Sequence, residues 1–189
     1  MRPALLLLAG DLDGGVPGIT EDPDEADALL DAGLALARAT GGVGRVLLFH
    51  PPEAEAAMTA RALGFRLWPA DGEHAGTRWA NAFRQAGELG YEGAIVVCLG
   101  AADLAAARLD EVVELLASNP AVLIPDDVGG VVVFGLQRHE PALVPATADV
   151  PDATILQRRA RQLRIPLLEL EAHQALTSDA VAGYLAGRG

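Results

Sequence analysis

Residues 79–136 read WANAFRQAGELGYEGAIVVCLGAADLAAARLDEVVELLASNPAVLIPDDVGGVVVFGL, and the alternation inside this stretch decides the fold. It completes a helical pattern that starts at Thr77 and runs to Leu89, where Gly90 is placed to stop it. A short apolar run, Ala94 to Leu99, then ends at once in the turn Gly100-Ala101-Ala102-Asp103, as a buried strand does. Leu104 to Ala117 returns to helical spacing. Ala121 to Ile124 is a strand, and Val131 to Leu136 is another, entered through Gly129-Gly130. Apolar runs alternating with helices predict a largely parallel sheet covered by helices.

The same rhythm extends in both directions. Upstream, Ala4 to Ala9 reads as a first strand, followed by a loop rich in turn residues from Gly10 to Gly18. Asp24 to Ala39 is a helix with Leu29, Leu30, Leu34 and Ala37 on one stripe, and Gly41-Gly42 ends it. Arg45 to His50 is a strand, Glu53 to Leu63 an Ala-rich helix and Phe65 to Trp68 a short strand. Downstream, Ala153 to Leu163 is a helix with Arg158, Arg159, Arg161 and Arg164 near its end, where cations oppose the helix dipole favourably. Ile165 to Leu170 is a last strand and Ser178 to Leu185 a closing helix. No linker, repeat or low-complexity tract divides the chain, so residues 1–189 are read as one domain.

Composition bounds the function. A formal net charge of −12 and a pI near 4.6 disfavour nucleic acid as a partner, because binding to a phosphate backbone is driven by Lys and Arg. All 14 basic side chains are Arg, which excludes a P-loop lysine, a Schiff-base lysine and a lysine general base. The single cysteine, Cys98, lies within an apolar run and reads as a buried, inert thiol. The apolar run Pro3 to Ala9 is too short for a signal peptide and leads into acidic residues, so a cytoplasmic protein with no membrane segment is expected.

Candidate site residues cluster where strands end, because open α/β sheets bind ligands beyond the carboxyl ends of their strands. Asp11 and Asp13 follow the first strand, as a nucleotide or metal contact or as part of an acidic surface loop that continues through Glu21, Asp22, Asp24 and Glu25. Asp126 and Asp127, with Gly129 and Gly130 behind them, either hold Mg²⁺ or Mn²⁺ or a sugar hydroxyl, or form a solvated turn. Asp103 faces the same cleft or caps the helix starting at Leu104, and capping is the favoured reading. The four histidines, His50, His74, His139 and His173, show no spacing that would place two of them on a metal.

At these residues the chain resembles a small bacterial family of GT-A-fold, glycosyltransferase-like proteins, related more distantly to nucleotidyltransferases. That family's middle reads like DLGERMANAF, an apolar strand into GSDCPDL, and EDGGYYLIGL, followed by a WST helix start and a late DxDT. Gly76-Thr-Arg78-Trp-Ala-Asn81-Ala-Phe83 matches the first, Ala102-Asp103-Leu104 the end of the second, and Asp127-Val-Gly129-Gly130 through Gly135-Leu136 the third. The resemblance implies a GT-A-type, Rossmann-like three-layer sandwich with a mainly parallel sheet. It implies ligand contacts from Arg78, Asn81, Asp103, Asp126, Gly129 and Gly130, with Asp127 as the candidate catalytic carboxylate.

The departures from the pattern remove charge at several separate positions. The family's Lys/Arg loop, typically KTRL, has become Gly18-Ile-Thr20-Glu21. The expected metal-binding Asp of GSDCPDL is Gly100, the second acidic place of EDGG is Val128, WST is roughly Val150-Pro151-Asp152, and the late acidic position falls on Leu176. Transfer from a nucleotide sugar needs its diphosphate leaving group neutralised, and each lost group costs about 2–4 kcal/mol of barrier. The expectation is a degenerate transferase-like protein without a metal or other cofactor, acting by binding a nucleotide, a nucleotide sugar or a protein partner, a second copy included. The alternative is an active glycosyl- or nucleotidyltransferase, using Mg²⁺ or Mn²⁺ at a site rebuilt around Asp126, Asp127, Arg78 and Asp103. An apolar docking strip, if there is one, falls at Val131 to Phe134, which otherwise reads as an ordinary buried strand.

Overall fold

The computed structural model describes residues 2–11, 16, 19–144, 152–176 and 180–183. Seven strands form one sheet in the order β3-β2-β1-β4-β6-β5-β7. They are β1 (Ala4–Asp11), β2 (Gly44–His50), β3 (Arg66–Pro69), β4 (Ala94–Val97), β5 (Ala121–Pro125), β6 (Val131–Leu136) and β7 (Leu167–Glu169). β1 pairs in parallel with both β2 and β4, β2 with β3, and β5 with β7; β6 lies antiparallel between β4 and β5. The sheet is therefore mainly parallel, as the alternation predicts, with one reversed strand where the short Gly129-Gly130 turn leaves no room for a crossover helix.

The helices are α1 (Pro23–Ala39), α2 (Glu55–Arg61), α3 (Ala75–Glu88), α4 (Ala106–Leu116) and α5 (Ala153–Leu163). One face of the sheet, carrying Leu5, Leu7, Leu47, Phe49, Ile95 and Ile124, packs with Leu30 and Leu34 of α1, Met58 of α2 and Leu109 and Val112 of α4. The other face, with Leu6, Leu48, Val96, Leu123 and Phe134, packs against Trp79 and Phe83 of α3 and Leu156 of α5. This gives three layers, and explains why β4, β5 and β6 read as unbroken apolar runs: each is covered on both sides. Val131 to Phe134 is thus interior strand and presents no docking strip, since Val133 and Phe134 are fully buried.

Local signals set the helix ends. Asp22 caps α1 by accepting from Asp24 N at 2.9 Å, Pro23 occupies its first turn, and Asp24 and Glu25 favour the positive end of its dipole. At the other end Arg45 Nε donates to Ala37 O at 2.7 Å, and a terminal nitrogen donates to Arg38 O and Thr40 O. Those carbonyls have no partner within the helix, so the guanidinium of β2 anchors α1 to the sheet. No helix among the described residues is long and apolar enough to cross a membrane.

Several boundaries differ from the sequence reading. The run after Pro51 divides into a 3₁₀ turn, Pro52–Ala54, and α2. β4 stops at Val97 because the chain winds into a 3₁₀ turn over Leu99–Ala101. α4 starts at Ala106 with Ala105 as its cap residue and no side-chain cap, so Asp103 does not cap it. Of the closing helix expected from Ser178 to Leu185, residues 180–183 are described and are helical, and the rest lies outside the described residues.

Candidate functional site

The strand order reverses at β1: the chain steps outward to β2 and β3, then returns to β4 on the other side. At such a switch point the loops on the carboxyl ends of the strands diverge and leave a crevice. The end of β4 and the turn at Gly100 stand at this point. A Cβ on Gly100 would lie 3.2 Å from Cδ1 of Ile19, so an apolar side chain from the amino-terminal loop covers the place where the resemblance expects a metal carboxylate. Asp11 closes β1 in backbone terms, and Asp13 lies outside the described residues.

The end of β5 carries the two adjacent carboxylates, and both are held by backbone. Asp126 Oδ1 accepts from Val128 N at 3.0 Å and from Gly130 N at 2.5 Å, while Asp126 N donates to Gly130 O at 3.1 Å. Gly129 takes φ +99°, a conformation side-chain-bearing residues rarely adopt, and Gly130 lies so close under the Asp126 carboxylate that a Cβ there would collide with Oδ2. Gly129 O accepts from Ala153 N at 3.0 Å, which fastens the turn to the start of α5. Asp127 Oδ1 accepts from Ala175 N at 2.8 Å, and Asp127 N donates to His173 O at 3.1 Å. These two carboxylates organise the turn, and Val128, the residue after them, is exposed at its tip.

His173 is the residue the sequence reading passed over. It pairs with Asp126 as an isolated parallel bridge, donates its N–H to Pro125 O at 2.9 Å, and brings Nε2 within 2.8 Å of Asp103 Oδ1. The pair is partly open to solvent, at 19% side-chain exposure for His173 and 32% for Asp103. Residue spacing alone gives no hint of it, since 70 positions separate the partners. The available signal was place: His173 follows the last strand at the carboxyl edge of the sheet, as Asp103 and Asp126 follow theirs. A cavity of about 340 Å³ opens beside it, with Arg108 and Leu104 in its wall.

Cys98, just past β4, keeps some exposure as a residue, yet its thiol is surrounded by protein and its pKa is pushed up to about 12, mainly by burial and further by the Asp126 charge. That fits the inert role. Leu176, at the expected late acidic position, is buried in a cluster with Leu29, Ala32, Ala102 and Val181.

Arg78 and Asn81 belong to a separate part of the same edge. Arg78 Nε donates to Gly72 O at 2.8 Å and Asn81 Nδ2 to Asp71 O at 2.9 Å, so both side chains hold the loop between β3 and α3. Arg78 lines a cavity of about 660 Å³ together with His50, Pro52, Pro69, Asp71 and Glu73. β3 and β5 stand five places apart in the sheet, on the order of 24 Å at ordinary strand spacing. The structure therefore gathers Asp103, Asp126, Asp127, Gly129, Gly130 and His173 in one group and leaves Arg78 and Asn81 in another. Among the described residues no three His, Cys, Asp or Glu side chains come together as a set for a metal ion.

The chain belongs to the family described as "uncharacterized protein conserved in bacteria" (DUF2064), whose model matches residues 34–147. No curated protein matches it. Among solved structures, a provisionally assigned nucleotide-diphospho-sugar transferase from Desulfovibrio desulfuricans G20 is similar with a TM-score of 0.74 at 16% identity, over 93% of this chain and 82% of that one. Rv0371C from Mycobacterium tuberculosis H37Rv, in complex with manganese, gives 0.63 at 15% identity over 98% and 100%. A CMP:2-keto-3-deoxy-manno-octonic acid synthetase complexed with CTP gives 0.60 at 12% identity over 100% and 98%. At these identities the likeness establishes the fold, a GT-A-like α/β fold of nucleotidyl- and glycosyltransferase type.

Proposed function

We propose that this member of the bacterial family is a degenerate transferase-like protein that binds a ligand at the carboxyl edge of its sheet without metal-dependent transfer. The observation that carries this reading is the engagement of both candidate carboxylates: Asp126 holds Val128 N and Gly130 N, and Asp127 holds Ala175 N. A hard divalent cation needs about six oxygen ligands, so a site here would have to compete with those backbone bonds. Gly100 adds none, being covered by Ile19, and Leu176 is buried among aliphatic side chains. With one oxygen of each carboxylate engaged and no third acidic, histidine or cysteine ligand beside them among the described residues, the set favours binding without a tightly held Mg²⁺ or Mn²⁺.

The ligand class this reading favours is a nucleotide or nucleotide sugar. Support comes from the crevice at the switch point, from the CTP-bound fold relative, and from Arg78, whose Nε is anchored on Gly72 O while the side chain lines a cavity large enough for a nucleoside. A second reading is a working transferase with a rebuilt site; the Asp103–His173 contact favours it for the group of Asp103, Asp126 and Asp127, since a carboxylate-oriented imidazole can serve as a general base, while Arg78 stands in the other group.

Calorimetric titration with a panel of nucleotide sugars and nucleoside triphosphates, with and without Mn²⁺, separates the two. Binding of a nucleotide with an affinity that Mn²⁺ leaves unchanged, and without turnover, is the expected result. Turnover, or Mn²⁺ binding in the micromolar range that Asp126→Ala or Asp127→Ala abolishes, would overturn the proposal.

A further inference from the structure

At the opposite edge of the sheet, where the parallel strands begin, the amino ends of β1, β2 and β3 meet the turn between α3 and β4 around a groove of about 440 Å³. Arg2, Arg45 and Arg66 line it, together with Leu89, Tyr91 and Glu92. Strand order brings these residues together: Arg45 is the second residue of β2, and Arg66, the first of β3, stands opposite Val46. The chain carries 26 carboxylates against 14 guanidiniums, so three arginines beside one acid make this a positive place on an acidic molecule.

The cations are seated by the fold. Gly44 opens β2, and a Cβ there would collide with the Tyr91 ring, so the missing side chain lets that ring lie against the strand. Arg66 Cζ stands 5.9 Å from the centroid of the same ring, which Trp68 meets edge-on at 6.3 Å. Arg45 is fixed through Nε and Nη2 on the carbonyls that end α1. Glu92 Oε2 accepts from Arg2 N at 2.5 Å, which ties the one acid of the groove to the backbone. Arg61, Arg84 and Arg108 each pair with a carboxylate, whereas the side chains of Arg2 and Arg66 have no carboxylate partner among the described residues. Two exposed guanidiniums at one groove, neither with a counter-ion from the chain, are set to meet an anion from outside.

Size and charge narrow the occupant. An extended polyanion would meet the whole chain and its net charge of −12, whereas a small anion feels mainly the charges within about 8 Å at physiological ionic strength. Guanidinium forks match phosphate oxygens, and a group with two charges engages two cations where a lone carboxylate engages one. We infer that this groove binds the phosphoryl group of a small phosphorylated molecule, with Arg2 and Arg66 as its direct partners and Arg45 adding its charge. The site lies at the other end of the strands from the nucleotide crevice and does not rest on that reading.

The test uses the full chain and three probes, inorganic phosphate, pyrophosphate and phenyl phosphate, titrated by calorimetry in low salt and at about 150 mM salt. Saturable binding with half-saturation at or below about 1 mM is expected for at least one probe, weakening as salt rises. Preference for phenyl phosphate marks an ester whose body reaches Leu89, and preference for either inorganic probe marks a free phosphate. Arg2→Gln and Arg66→Gln should each weaken the preferred probe about tenfold, as loss of a charge-assisted hydrogen bond does, while Arg161→Gln, exposed on α5, leaves it unchanged. Both groove positions are exposed, so neither substitution threatens folding. No saturation by about 10 mM, or an affinity unchanged in Arg66→Gln, would overturn the assignment. So would weakening by Arg78→Ala in place of Arg66→Gln, which puts the anion at the other edge.

Discussion

The carboxylate of Asp126 lies directly over the backbone of Gly130, with Oδ1 accepting from Gly130 N at 2.5 Å and Oδ2 filling the space a Cβ would need. Asp126 is in this way the clasp of the turn. Gly130→Ala should force the carboxylate aside and break its bonds to Val128 N and Gly130 N, destabilising the protein by about 1–3 kcal/mol in urea unfolding. Asp126→Ala should cost a similar amount by leaving the same two donors unpaired. Unfolding midpoints that stay put in both variants would remove the structural role from Asp126.

The Asp103–His173 contact joins the turn after β4 to the segment after β7. Because both side chains are partly exposed, the coupling should be modest. A double-mutant cycle with Asp103→Ala and His173→Ala should return about 0.5–1 kcal/mol at pH 7. A coupling near zero would show that the two side chains move independently.

Cys98 gives a pH prediction with a defined sign. Its folded pKa, pushed up to about 12, stands above the ordinary value of 9.0, so the folded state keeps the thiol proton at pH values where the unfolded chain has lost it. The stabilising contribution is complete below pH 9 and is lost as pH rises from 9 towards 12. Iodoacetamide at pH 8 should alkylate the native protein far more slowly than the urea-unfolded chain. Asp126→Asn should speed native alkylation only slightly, because burial outweighs the Asp126 charge. Equal rates in native and unfolded protein would contradict the burial.

Arg78 carries the prediction for ligand recognition. Arg78→Ala should weaken a bound nucleotide or nucleotide sugar by about 1.5–3 kcal/mol, the range for a hydrogen bond to a charged group. It also removes the anchor on Gly72 O, so Arg78→Lys, which keeps the charge without the planar fork, serves as the companion. A nucleotide affinity unchanged in Arg78→Ala would take Arg78 out of the site.

The sequence by itself determined the architecture, because what sets it is local. Runs of two-sided apolar residues at Ala94, Ala121 and Val131, helical stripes at Asp24 and Thr77, and glycines at Gly90, Gly129 and Gly130 each act over a few residues. Its alternation also pointed to a mostly parallel sheet, and β1 does pair in parallel with β2 and with β4. Only the tertiary structure decided what the charged residues do. Asp103 reads as a helix cap from its neighbours, yet its partner is His173, 70 positions away. Asp127, a candidate catalytic carboxylate by resemblance, also holds Ala175 N, a contact no motif foretells. Arg78 and Asp126, close in the motif order, stand on different parts of the sheet edge because β3 and β5 are five places apart. A carboxylate's role depends on which donors reach it in space, and strand order, which places those donors, is set by packing of the whole sheet and by no short stretch of chain.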